Sequence, residues 1–332
     1  MLFLDRNGRV ALTNPAAGDR FGEWVRGQSY VSVLRQPSLL GPVEDAFHDR
    51  IPGRARFVHA DGATETAFDV AILPLSPSDP NERGPVLLTF RDLSDREASL
   101  AMRRDFVANV SHELKTPLTA LTGFVETLQG PARNDGPARD RFLGMMAQEL
   151  SRMNRLVADL LSLGRVEAQS RRRPRDPVDL TTLLGKAIEL LHPTAQDAGV
   201  TLTADLAPEA VVPGDADQLI QVAVNLIENG IKYGARPGTV EIGLHRVDRD
   251  PALRTPCWCL TVTDDGPGIA PEHLPRLTER FYRVDGARNR SGGGTGLGLA
   301  IVKHIVNRHR GRLRIDSNPG QGTCVTVHLP DG

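Results

Sequence analysis

Hydrophobic positions recur along this chain at different rhythms, and the changes of rhythm divide it. Up to about residue 92 they alternate over short runs broken by turn signals. LFLDRNGRVALTN reads as a hairpin closed at Asn7-Gly8, RARFVHADGATETAFDVAILPL as two strands around Asp61-Gly62, and PVLLTFRDL as a last strand. That pattern predicts a small antiparallel α+β domain. From about 94 to 169 the period becomes helical. Val107, Val110, Leu114, Leu118, Leu121, Val125 and Leu128 form one stripe. After the breaker stretch QGPARNDGP, a second helix carries Phe142, Met146, Leu150, Met153, Val157 and Leu160 on the same rhythm. Two such helices joined by a short loop make an antiparallel hairpin. A hairpin alone leaves apolar surface open, so the expected assembly is a homodimer with a four-helix bundle; the alternative is packing on neighbouring domains of the same chain.

SRRRPRDP, residues 170 to 177, reads as a linker whose basic run is solvated. Beyond it helices and strands mix: a helix at 179–198, strands near 200–206, 239–247 and 258–263, and a closing hairpin at 312–329 around Asn318-Pro319-Gly320. The pattern is that of an α/β sandwich. The expected division is 1–92, 93–170 and 176–331.

Composition narrows the classes. A chain of 332 residues exceeds one typical domain, and a net charge of −1 offers no electrostatic case for nucleic acid or membrane. Its three cysteines, Cys257, Cys259 and Cys324, cannot build a disulfide framework and suggest a reducing compartment. Cys257 and Cys259 fit alternating positions of one strand, since no further ligand lies at metal spacing. No apolar run is long enough to span a bilayer and no secretory signal is present, so the expectation is a soluble chain.

Chemistry enters at SHELKTPL, residues 111 to 118. At about 100° per residue His112 points nearly opposite the apolar stripe, and Thr116 lies on the same outer face. Glu113 can reach the ring's Nδ1–H, which leaves the Nε2 lone pair outward. Pro117 deletes one backbone hydrogen bond and bends the helix. A solvated histidine beside a tolerated proline would explain this stretch alone. Further on, QVAVNLIENGIKYG sets Asn225, Asn229 and Lys232 in one polar row opposite Leu219, Ala223, Leu226 and Ile227, with Asp215 and Gln218 as a capping box. Such a row suits hydrated Mg²⁺ and phosphate. In VTDDGPGI, Asp264 ends a strand and can accept from an exocyclic amine such as that of adenine, while Gly266 and Gly268 let backbone approach the ring. GGGTGLGLAIVKHIV, from 292 to 306, runs glycines into a helix N-terminus, a phosphate cradle that is neither a Walker A nor a Rossmann loop. Phe281, Tyr282 and Arg283 in ERFYRVD would border a lid between the two glycine segments.

The ordered set SHELKTPL, NLIENGIKYG, DDGPGI, RFYRVD and GGTGLGLAIVK resembles the H, N, G1, F and G2 boxes of bacterial sensor histidine kinases, over about residues 106 to 310. The wider wording resembles the phosphate-regulon (PhoR-type) branch, and the first domain resembles a PAS domain by its hairpin pattern. The resemblance implies a multidomain α+β fold: a PAS-like domain, a dimerising two-helix hairpin, and an ATP-binding sandwich of the gyrase and histidine-kinase type. It implies His112 as phosphoacceptor, Glu113 as its acid/base partner, and Thr116 as the residue orienting water in a reverse dephosphorylation. Asn229 would hold Mg²⁺, with Asn225 and Lys232 near the phosphates of ATP and Tyr233 against adenine. Asp264, Gly266 and Gly268 would meet the base and Arg283 the γ-phosphate, while Gly294, Thr295, Gly296, Leu297 and Gly298 would form hinge and cradle. Gly230 and Gly234 depart from the family's usual Ala and Thr or Ser. The implied partner is a response regulator of the winged-helix DNA-binding type. The implied location is cytoplasmic, at the inner membrane's cytoplasmic face if a membrane segment precedes this stretch in the native protein. Two rival classes share parts of the pattern, an ATP-driven conformational clamp and a non-catalytic dimeric scaffold. Asn225 stands where gyrase-type ATPases carry a water-activating glutamate, which disfavours the clamp. In the first domain, the absence of cysteine excludes a flavin–cysteinyl adduct, and His48 and His59 read as ordinary histidines rather than haem ligands.

Overall fold

The computed structural model describes residues 1–61, 64–76, 83–169, 172–248, 250–251, 253–284 and 294–331, with backbone alone at 61, 64, 95–96 and 98–103. The chain divides into two compact units, Met1–Ala108 and Asn109–Gly332.

In the first unit, β1 (Leu2–Leu4), β2 (Val10–Thr13), β3 (Gly53–Asp61), β4 (Thr64–Pro74) and β5 (Val86–Asp92) form an antiparallel sheet in the order β2-β1-β5-β4-β3. Helices α1 (Pro15–Phe21), α2 (Tyr30–Leu34) and α3 (Pro37–His48) complete it, with α3 against the sheet. The first hairpin closes where expected. Asp5 Oδ1 accepts from the N–H groups of Asn7 and Arg9 at 2.8 and 2.9 Å, and Gly8 takes the left-handed turn at φ 72°. The second hairpin pairs Asp61 with Thr64; Gly62 of its expected turn lies outside the described residues. The core joins Leu2, Leu4, Val70, Ile72 and Leu88 to an aromatic cluster of Phe21, Phe57, Phe68 and Phe90. His59 belongs to that cluster, its ring 5.0 Å from Phe21, and Arg83 places its Nη2 3.1 Å from Nδ1 of His48.

The long helix α4 (Ser94–Gln129) and α5 (Gly136–Ala168) form the antiparallel hairpin. Phe124 meets Phe142 with ring centroids 5.6 Å apart, and Arg152 donates to Glu113 at 3.1 Å, so both contacts share one register. Of the expected stripe, Leu114, Leu121, Phe142 and Met153 are half-buried, while Val107, Leu118, Leu150 and Val157 stay open. The fully buried positions of α5 are different ones: Leu156, Leu163 and Val166, roughly 100° around the helix. This face lies along α8 (Gly298–Arg308). The helix therefore has two apolar faces, and the period was legible only for the longer.

The C-terminal sandwich builds its sheet from β7 (Val200–Leu206), β9 (Gly238–Val247), β10 (Cys257–Asp264), β11 (Arg312–Ser317) and β12 (Thr323–Pro330), in the order β11-β12-β10-β9-β7. Only the β7–β9 pair is parallel. Helices α6 (Leu180–Ala198), α7 (Ala216–Tyr233) and α8 form the other layer, and Cys257 and Cys259 alternate on β10 as expected. A short ribbon corrects the linker reading: β6 (Asp176–Asp179) pairs with β8 (Val211–Gly214), so the last residues of the expected linker are strand. Both strands contain proline, which suits so small an exposed pair and hides it from a propensity reading.

The N-terminus of α7 is fixed differently from the capping box expected there. Asp215 does accept from the Gln218 N–H at 3.2 Å, but Gln218 Oε1 is buried without a partner among the described residues. The Asp215 N–H instead donates to Nε2 of His309 at 3.0 Å, and the His309 Nδ1–H donates to the Ile305 carbonyl at 2.8 Å. These two bonds define the tautomer. Burial, the largest cause, pushes the His309 pKa below its usual value, so the neutral ring serves as the cap. Because the folded value is depressed, the contribution is present above the ordinary histidine range and lost as pH falls through the folded value. His309→Ala is expected to cost about 3 kcal/mol in urea unfolding followed by Trp258 fluorescence in a Trp24→Phe background. The loss of stability on acidification below about pH 6.5 should be shallower in that variant than in the wild type.

Candidate functional site

Helix α7 presents the polar row as its spacing requires. Its apolar side, Leu219, Val222, Ala223, Leu226, Ile227 and Ile231, is buried, so Asn225, Asn229 and Lys232 are turned toward the opposite edge and are half-buried. Asn225 Nδ2 donates to the Gly298 carbonyl at 3.5 Å, a long contact. The Lys232 pKa is lowered to about 8, first by burial and then by Arg283 and Arg155. Its ammonium lies 4.8 Å from the Tyr233 ring centroid. Burial raises the pKa of the Tyr233 phenol and of Glu228. The site thus holds a concentrated positive field in a partly dry setting, where an anion would be well received.

The two aspartates at the end of β10 differ. Asp264 is half-buried, accepts from the Gly266 N–H at 2.9 Å, and has its pKa raised chiefly by burial. Asp265 instead secures the loop after α7, accepting from Ala235 N–H at 3.2 Å and Thr239 N–H at 2.8 Å. Sequence reading passed over Asp265. Nor do both neighbouring glycines clear space for a ligand: Gly268, at φ 70°, sits so close to the β11–β12 turn that a Cβ would collide with the Asn318 carbonyl. Gly266 packs likewise on the Tyr233 carbonyl.

The second glycine segment comes back over α7. A Cβ on Gly294 would collide with Lys232 Nζ and lie 3.1 Å from the Tyr233 hydroxyl, so the loop crosses directly above the cation. Gly296, at φ 71°, accepts from the Phe281 N–H at 2.8 Å. Thr295 Oγ1 accepts from the buried Leu297 N–H at 3.2 Å, and Gly298 opens α8. Tyr282 is tied to His273 Nδ1 at 2.7 Å and lies under Arg276, while Arg283 contributes its charge near Lys232. Gly292 and Gly293 lie outside the described residues.

His112 is exposed on α4, on the face expected. The Thr116 hydroxyl donates to the His112 carbonyl at 3.2 Å, which leaves its oxygen outward as an acceptor. Glu113 is placed otherwise than expected. Its carboxylate accepts from Arg152 at 3.1 Å rather than from the imidazole, and Arg152 also reaches Glu149 at 3.4 Å. A guanidinium with donors in a planar fork outcompetes a neutral ring N–H for a half-buried carboxylate. Other contacts missed in the sequence join α5 to the sandwich: Asp159 with Thr295, Ser162 with Gln221, and Glu167 with Arg280 and His304. They depend on tertiary proximity, which carries no local signal.

Two families account for most of the second unit. Residues 102–169 match the His Kinase A (phospho-acceptor) domain, and residues 214–332 match the histidine kinase-, DNA gyrase B- and HSP90-like ATPase. Over 95% of its length the chain is 35% identical to the sensor-like histidine kinase SenX3 of Mycolicibacterium smegmatis, covering 90% of that protein. The chain belongs to the sensor histidine kinases. This kinase is also 40% identical over 73% of its length to the phosphate regulon sensor protein PhoR of Pseudomonas aeruginosa, and spans about half, 53%, of that relative. A crystal structure of histidine kinase ThkA in complex with response regulator protein TrrA superposes with a TM-score of 0.56, covering 100% of this chain and 95% of that one; at 20% identity the likeness is one of fold.

No group of three or more His, Cys, Asp or Glu side chains among the described residues could hold a metal ion. The side chains against the glycine segment are the Asn225 amide and the Lys232 ammonium, with the Asn229 amide in the same row of α7. That set fits a divalent cation carried in by phosphates and keeping most of its waters, the usual habit of Mg²⁺.

The unequal aspartates give a direct test. Asp265→Ala should destabilise the second unit by about 1–3 kcal/mol, because two backbone donors lose their carboxylate. Asp264→Asn should leave stability unchanged or slightly raised, since burial already disfavours its charged form. Urea unfolding of both variants measures the difference.

Proposed function

We propose that this sensor kinase transfers the γ-phosphoryl group of ATP to His112 and then to an aspartate of a response regulator. The observation that carries the reading is the row Asn225, Asn229 and Lys232, roofed by Gly294 to Gly298, in one compact unit with the exposed His112. ATP would lie between them. Asp264 would accept from the adenine amine beside Gly266, with Tyr233 against the ring, and Lys232 and Arg283 would meet the phosphates. Asn229 would hold Mg²⁺, with Asn225 beside it, and the ion would offset charge on the phosphoryl oxygens.

The neutral His112 Nε2 attacks phosphorus in line. A new N–P bond forms as the bond from phosphorus to the bridging oxygen breaks, and ADP leaves with that electron pair. Glu113, once it turns from Arg152, takes the Nδ1 proton. Asn225 supplies an amide that cannot serve as a base, which keeps hydrolysis slow and saves the phosphoryl group for histidine. Thr116, with its oxygen facing outward, would hold a water in line for the reverse dephosphorylation of the regulator.

The remaining assignments complete the reading. Residues 1–92 form a PAS-like sensor domain, 93–170 a hairpin that dimerises through its open stripe, and 176–331 the ATP-binding domain. The regulator is of the winged-helix DNA-binding type. PhoR's name supports a link to phosphate signalling. The chain works in the cytoplasm or on the membrane's cytoplasmic face; no helix of the described residues is long and apolar enough to cross a membrane.

Incubation with [γ-³²P]ATP and Mg²⁺ should yield an acid-labile, base-stable label. His112→Ala should abolish it while ATP affinity stays within about threefold of wild type. Label that persists in His112→Ala would refute the phosphoacceptor assignment.

Lys232 makes nucleotide binding pH-dependent. Without nucleotide its pKa is about 8, so it is cationic at pH 7 and largely neutral at pH 9. Affinity for Mg·ATP should fall over that interval, and calorimetry at pH 8 should register proton uptake on binding. Lys232→Arg, which keeps its charge, should flatten the profile.

A further inference from the structure

Among the described residues, hydrogen bonds anchor the glycine segment over α7 at Gly296, Gly298 and Thr295, and the last of these bonds comes from outside the sandwich. Phe281 holds Gly296 and Asn225 reaches Gly298, both from within the sandwich. The third is Asp159 of α5, whose Oδ2 accepts from the Thr295 hydroxyl at 2.7 Å. That hydroxyl accepts in turn from the Leu297 N–H at 3.2 Å, immediately before α8 begins. One oxygen therefore links the hairpin to the start of the helix whose N-terminus faces the loop. Asp159 is half-buried, Leu156 and Leu163 beside it on the helix are buried, and Ser162 one turn on donates to Gln221 of α7 at 2.6 Å.

We infer that Asp159 is a positioning residue of the nucleotide site: it fixes Thr295, and through it the phosphate-facing backbone from Gly294 to Gly298, so that α5 completes a site otherwise built from the sandwich. This rests on the ATP reading above and adds to it a residue of the phosphoacceptor hairpin. Ordering the loop in advance removes an entropic cost from binding. Reciprocity follows: nucleotide held by the loop strengthens the seating of α5, because coupling between two binding events has one value in both directions.

The experiment uses the full chain and measures Mg·ATP affinity by calorimetry together with the KM and kcat of autophosphorylation. Asp159→Ala should weaken binding and raise KM about three- to tenfold, with kcat at saturating ATP within about twofold, the pattern of a group that acts on binding and not on transfer. Asp159→Asn retains an acceptor oxygen and should recover most of the loss. Thr295→Val should cost at least as much as Asp159→Ala, since it also removes the acceptor of the Leu297 N–H, and the double variant should be no worse than Thr295→Val alone. Ser162→Ala removes a bond of the same seam away from the loop and should leave affinity unchanged. Equal affinity in Asp159→Ala and wild type overturns the inference. So does a loss in Ser162→Ala as large as that in Asp159→Ala, which would assign the effect to docking in general. A wild-type chain that binds no ATP would instead overturn the functional reading itself.

Discussion

Everything at the site depends on the burial of one side of α7. Leu219, Val222, Ala223, Leu226, Ile227 and Ile231 are sealed against the sheet and the flanking helices, and that alone sets the rotation of the helix. With the rotation fixed, side chains at 225, 229 and 232 have one direction available. Five of these, Leu219, Val222, Leu226, Ile227 and Ile231, at roughly 1.5–3 kcal/mol each on burial, far outweigh the cost of holding two amides and a desolvated ammonium in a half-dry row. The depressed Lys232 is the visible form of that cost, and a phosphate is the ligand that would relieve it.

The second dependence is the seam between α5 and the sandwich. Leu156, Leu163 and Val166 give it an apolar seat, and polar contacts at Asp159, Ser162 and Glu167 give it a register. Apolar burial tolerates sliding, whereas hydrogen bonds between particular atoms do not. The seam is therefore a defined position with discrete contacts, the kind of element that one bound group can bias against another.

What the sequence disclosed follows from the range of the interactions involved. The α7 row, the Asn7-Gly8 turn and the main sheet and helices of the sandwich, though not its β6–β8 ribbon, were legible because period, cap and turn chemistry act within a few residues. The hairpin was legible as two helices, yet only one of the two apolar faces of α5 was read, since the second is short and its partner, α8, lies more than a hundred residues on. His309 as the cap of α7, Arg152 as the partner of Glu113 and Asp265 as the loop anchor escaped for the same reason. Gly268 was misread in kind. Its glycine serves a backbone of the same chain, at Asn318, where the pattern suggested a ligand. A sequence marks that a glycine is required; only the fold says what approaches it.

These placements constrain phosphoryl transfer itself. Arg152 marks the level of His112 along the hairpin, because it pairs with the neighbouring Glu113. Thr295 is moored to Asp159, seven residues further along the same helix. At about 1.5 Å per residue the two levels lie roughly 10 Å apart along α5. In-line transfer needs the reacting atoms about 3–3.5 Å apart. In the proposed function the reach of a triphosphate beyond the loop and a shift of the sandwich along the hairpin would together cover the difference. The contacts at the seam would set the position in which the sandwich receives nucleotide, before transfer begins. A hydrogen bond whose net worth is about 1 kcal/mol is strong enough to hold that position and weak enough to be exchanged.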